Sequence, residues 1–135
     1  MKMLCRWLAL ALCLCLAGAP ALAGGLERPE DYLGAWQGGE DYGEAGEYYL
    51  YLNSLEDGVF TLDFDIYRIW SFSAMTAALS EERPTAVFST NEFDEYTLIG
   101  ALDFSQDAIE MFVLESDYPD LPANTVIRFA RADFE

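Results

Sequence analysis

Apolar and polar residues alternate with a period of two along much of this chain. Phe60, Leu62, Phe64 and Ile66 fall on one parity, while Thr61, Asp63 and Asp65 fall on the other. This is the pattern of a strand with one buried face. Comparable short segments run from Tyr48 to Asn53, Thr85 to Ser89, Tyr96 to Phe104, Ile109 to Leu114 and Thr125 to Arg131. Ahead of them, Tyr32-Leu33-Gly34-Ala35-Trp36 reads as a short helical turn giving way to a first strand.

Turn signals separate these segments. Asp57-Gly58 is a strong hairpin signal, and Pro84 cannot donate to a central ladder. Polar turns follow at Asn91 to Glu95 and Ser105 to Ala108, with a proline-containing loop from Asp117 to Pro122. The one competing helical segment is Ser73 to Glu82, SAMTAALSEE, which is rich in helix formers and lies just before a proline. The pattern predicts an all-β fold: a small antiparallel up-and-down β-barrel with one short helix at most, or alternatively a β-sandwich.

One position breaks the alternation. Phe60, Leu62, Phe64, Ile66, Arg68, Trp70 and Phe72 share a parity, and only Arg68 is charged. A strand running from Val59 to about Leu79 would be longer than the usual 3 to about 10 residues, so it must bend, bulge or break. A register change between Tyr67 and Ile69 would turn Arg68 outward. Held inward instead, the arginine would need a carboxylate, because an unpaired buried charge costs several kcal/mol. Either outcome is favoured over an anion-binding role.

The first 23 residues read differently. Lys2 and Arg6 precede an apolar run from Trp7 to Leu16 and the triplet Ala21-Leu22-Ala23. That order is expected of a secretory signal peptide cleaved after Ala23, leaving one domain over residues 24–135. The protein is therefore expected to be exported to an extracellular, periplasmic or cell-envelope space, with no membrane span after cleavage. Cys5, Cys13 and Cys15 all lie in the segment expected to be removed, so the domain relies on its core rather than on disulfides.

The whole chain carries a net charge of -17 and no histidine. Beyond Ala23 its cations are Arg28, Arg68, Arg83, Arg128 and Arg131, against 24 acidic residues. Such a field disfavours nucleic acid as a partner and favours cationic proteins or metal ions. It also keeps copies apart, in line with a monomer.

Two stretches resemble small exported bacterial lipocalin-like, or calycin-type, β-barrel proteins. Tyr32-Leu33-Gly34-Ala35-Trp36 is similar to the G-x-W opening of that group. The end of the chain, from Ser116 through its proline-containing loop to Phe129, is similar to the final loop and strand of small exported barrels. The resemblance implies that an arginine of the last strand packs on the tryptophan and closes one end. Gly34, Trp36 and, by strand parity, Arg131 are the residues it marks. The contact would be a cation-π pair worth about 0.5 to 2 kcal/mol. The chain is shorter than a full lipocalin, which argues against a large calyx.

Without histidine, and without cysteine or lysine beyond Ala23, the commonest general base and nucleophile activators are missing. No catalytic residues are assigned. Asp63 and Asp65 have the spacing of a carboxylate pair, but their alternation with apolar residues marks a solvent face. Glu40, Asp41, Glu44 and Glu47 form an acidic segment with oxygen ligands suited to calcium; it lacks calcium-loop spacing, so no metal or other cofactor is assigned. Arg68, Trp70, Tyr48 and Tyr118 are the candidate ligand-binding residues, with Tyr49 and Tyr51 as further members of an aromatic surface. The leading expectation is a non-catalytic exported module that binds a small apolar ligand or short peptide. The alternatives are an inhibitor-like protein that binds a cationic protein partner and, third, a carboxylate-based glycan-active enzyme.

Overall fold

The alternation fixes which faces are buried, and the turns fix which strands meet. A computed structural model describes residues 25–38 and 48–132. It contains a 3-10 turn at Pro29–Tyr32 and eight strands: β1 Gly34–Gly38, β2 Tyr48–Glu56, β3 Val59–Ile66, β4 Trp70–Leu79, β5 Thr85–Ser89, β6 Leu98–Ser105, β7 Ala108–Ser116 and β8 Val126–Arg131. Each strand pairs antiparallel with the next, and β8 pairs back with β1. The result is a closed up-and-down barrel, not a sandwich.

Ser73 to Leu79 belongs to β4 and is not helical. Its helix formers lose to packing: Phe72, Met75 and Ala77 are fully buried inside the barrel. The step from Phe72 to Met75 breaks the period of two, and a bulge absorbs the difference. Leu62 pairs with Met75 and Phe64 with Phe72, so Asp63 faces two residues, Ser73 and Ala74. Ala74 takes a φ of 55° there.

At Arg68 the long row breaks, one of the outcomes its length requires, and the arginine turns outward. The long apolar row ends at Ile66 and restarts at Trp70, with a tight turn between them in which the Ile69 amide donates to the Ile66 carbonyl at 2.8 Å. Arg68 is neither an internal ion-pair partner nor a strand residue. It sits in this turn with a φ of 64° and is exposed. The length limit on strands is met here by a hairpin rather than a bulge.

Asp57-Gly58 forms the expected hairpin, with φ of 52° and 77°, as a type I′ turn requires. Gly100 lies at a register shift between β6 and β7, where a Cβ would stand 2.0 Å from the Phe112 carbonyl oxygen. Only glycine lets the two backbones approach that closely.

Side chains fill the interior. Phe60, Phe64, Phe72, Phe88 and Phe129 have no accessible surface, and neither do Leu50, Leu62, Met75, Leu98 and Leu102. A void able to hold water would expose part of these groups, so the space around them is packed. Eight strands enclose just such a fillable volume. Each buried large side chain contributes about 1.5 to 3 kcal/mol.

One end is closed by the chain's own N-terminal turn. The Arg131 guanidinium lies 4.1 Å from the centre of the Trp36 ring. Its nitrogens donate to the backbone carbonyls of Leu33 at 2.8 Å and Asp31 at 2.6 Å. Trp36 Nε1 donates to the Tyr32 carbonyl, and the Tyr32 hydroxyl donates to that of Ser105. Tyr32 stacks on Trp36 and meets Phe104 edge-on. Gly34, with a φ of 120°, leaves room for the arginine: a Cβ would lie 3.2 Å from Arg131 Nη1.

Candidate functional site: the aromatic mouth

At the other end the strands deliver aromatic residues to the rim. β4 begins with Trp70, β2 begins with Tyr48, the loop before β6 carries Tyr96, and the loop after β7 carries Tyr118. Trp70 meets Tyr96 edge-on at 5.1 Å and Tyr118 at 6.2 Å, while Tyr96 and Tyr118 are 4.9 Å apart. Phe72 lies beneath, 5.8 Å from Tyr118. Tyr48 stacks on Phe64. The rings form a floor and wall rather than scattered surface groups.

The loops are held in place. The Thr97 amide donates to the Asp117 carboxylate at 2.7 Å, and the Asp117 amide donates back to the Thr97 carbonyl. This reciprocal pair ties the Tyr96 loop to the Tyr118 loop. Leu121, fully buried, roots the second loop in the core. Earlier in the Tyr96 loop, Asn91 and Asp94 form a hydrogen-bonded turn. Phe93 projects from it and is 87% exposed.

Trp70, Tyr96 and Tyr48 are half-buried, whereas Tyr118 is buried. Among the described residues, no protein group bonds the hydroxyls of Tyr48, Tyr96 or Tyr118, and none of these atoms is buried without a partner. Each hydroxyl therefore meets solvent at the rim. Burial pushes the Tyr118 phenol above its ordinary value, helped by Asp120, Tyr96 and Tyr48. Burial followed by Asp120 does the same to Tyr48. Tyr48 and Tyr118 therefore remain neutral donors across the physiological range.

Of the four residues singled out from the sequence, Trp70, Tyr48 and Tyr118 gather at this mouth. Arg68 shares a shallow pocket of about 280 Å³ with Trp70. Its guanidinium lies 5.1 Å over the Tyr67 ring. Tyr49 and Tyr51 do not join either, since strand parity puts them on the outer wall, stacked on each other at 6.3 Å. Phe93 was missed because it lies in a polar turn segment, and Tyr96 because it reads as the first residue of a strand that in fact begins at Leu98. The acidic candidates Glu40, Asp41, Glu44 and Glu47 lie outside the described residues, as does the expected signal peptide. No group of three or more acidic residues that could hold a metal ion occurs among the described residues.

Asp63 and Asp65 stand on the outer wall. Asp63 accepts from Asn53 Nδ2 at 3.2 Å and from the Ala74 amide at 2.8 Å. Asp65 accepts from the Ser71 hydroxyl. They are not set across a cleft as a glycosidase pair would be. At the closed end, a polar groove of about 540 Å³ runs beside Arg28 and Arg131. Arg28 is already engaged by Glu30 and Asp31.

Comparison with family models, curated proteins and solved structures found no match to this chain.

Proposed function

We propose that this chain is an exported, non-catalytic binding module of lipocalin-like type that holds a small apolar ligand or the apolar part of a short peptide at its mouth. One observation carries the reading: half-buried Trp70 and Tyr96 and the ring of Tyr118 converge over a packed barrel, with three phenolic hydroxyls left to solvent. Aromatic faces supply contact area, and the hydroxyls supply orientation. The ligand rests on the filled interior instead of entering it. The end closure by Arg131 and Trp36 supports the lipocalin-like assignment, and the chain's lack of histidine supports a role without acid-base chemistry.

N-phenyl-1-naphthylamine, a neutral apolar fluorophore, tests this reading directly. It should bind saturably at one equivalent and quench Trp70, with Kd weakened about tenfold or more by Trp70→Ala or Tyr96→Ala. Arg68→Met should leave that affinity unchanged. Absence of saturable binding, or equal affinity in all variants, rejects the mouth as a ligand site. Native mass spectrometry of protein secreted by its own host then identifies the natural ligand.

A further inference from the structure

Away from the mouth, the outer wall of β5 to β8 carries an apolar belt. Val87 pairs with Ala101, Ala101 with Phe112, and Phe112 with Val126, all on the outward parity. Ile99 and Leu114 extend the belt toward the mouth. Val87 is 58% exposed, Leu114 60% and Val126 52%. Neighbouring strands are ~4.8 Å apart, so the belt runs roughly 14 Å around the convex wall.

Charged positions border it on both sides. The adjacent row toward the closed end is Thr85, Asp103, Glu110 and Arg128, with Arg128 bonded to Glu110 at 3.2 Å. Glu115 and Asp117 lie toward the mouth. An apolar centre inside a charged rim is the anatomy of a protein interface, and exposed apolar patches on a monomer mark such contacts. Because the barrel is closed, a partner cannot add a strand and must dock on side chains.

The charge selects the partner. A second copy would set one acidic rim against another in chains of net charge -17, a repulsive arrangement. A basic protein would meet the same rim favourably while covering the belt. We propose that the outer wall of β5 to β8, centred on Phe112, Leu114 and Val126, is the docking surface for a basic protein that receives this convex face in a cleft.

The test places the photo-crosslinker p-benzoylphenylalanine at Leu114 or Val126 in the full chain expressed in its own host, with Ser54 on β2 as the control position. The expected result is an adduct with one positively charged protein from the first two positions and none from the third. The purified pair should then lose about tenfold or more in affinity with Leu114→Glu or Val126→Glu, and its association rate should fall steeply from about 50 to about 500 mM salt. Both side chains are exposed, and near-ultraviolet circular dichroism establishes that the variants keep the barrel intact. An adduct with a second copy or with residues 1–24, no adduct, or a partner indifferent to both substitutions overturns the proposal.

Discussion

The carboxylate of Asp63 accepts a hydrogen bond from the backbone amide of Ala74 at 2.8 Å, across the bulge that shifts β4 against β3. The same side chain accepts from Asn53, which sits at the register shift between β2 and β3. One outward carboxylate therefore braces two irregularities that keep Leu52, Leu62 and Met75 facing the core. Asp63→Ala should destabilise the barrel by about 1 to 2 kcal/mol, since it leaves the bulge amide without its protein partner. Urea denaturation measures this directly. An effect no larger than that of a neutral surface substitution would show that the bulge holds itself.

Arg68 and Ala74 both occupy the left-handed region, with φ of 64° and 55°. For residues with a Cβ this conformation costs about 1 kcal/mol, and glycine removes the cost. Arg68→Gly and Ala74→Gly should each leave stability unchanged or raise it by up to about 1 kcal/mol. A clear loss in Arg68→Gly would assign real stabilising weight to its contact over Tyr67.

At the closed end, Arg131 combines its ring contact with two backbone hydrogen bonds. Arg131→Ala should cost about 1 to 3 kcal/mol and alter the near-ultraviolet signal of Trp36. Arg131→Lys keeps the charge but not the forked geometry, so it should recover only part of the loss. Full recovery by lysine would reduce the arginine's role to its charge.

The tyrosines give the barrel an alkaline limit. Tyr32, Tyr48, Tyr51 and Tyr118 all ionise above the ordinary phenol value of 10.0, burial being the first cause in each case. Above pH 10 the unfolded chain gives up protons that the native chain retains, so stability falls as pH rises through that window; below it these groups contribute no pH dependence. Spectrophotometric titration should show a delayed class of tyrosines that merges with the free class on unfolding. A single transition at the ordinary value would contradict their burial.

Much of the architecture was legible because a period of two survives in β3, β5 and β8 almost uninterrupted. Asp57-Gly58 was readable for the same reason: its geometry is encoded in two adjacent residues. Arg68 was not, since Tyr67-Arg68-Ile69 contains none of the usual turn residues and forms a turn through tertiary constraint. The helical signal of Ser73 to Glu82 failed where burial of Met75 and Ala77 outweighed intrinsic propensity. At the mouth, Trp70, Tyr48 and Tyr118 stood out as aromatics, but the strand start at Trp70 did not, and Tyr96 arrives by loop tethering through Thr97 and Asp117, an arrangement local sequence does not encode.

The seam between β1 and β8 rests on three register pairs, Trp36 with Arg131, Gln37 with Ala130 and Gly38 with Phe129. These partners come from opposite ends of the described chain, so their pairing carries the largest loop-closure entropy in the ladder. The remaining strands can zip up hairpin by hairpin, each with its neighbour in sequence. Closure is thus expected to be the slow, late event of folding, leaving the nascent sheet two open edges on which another chain can add until Arg131 settles on Trp36.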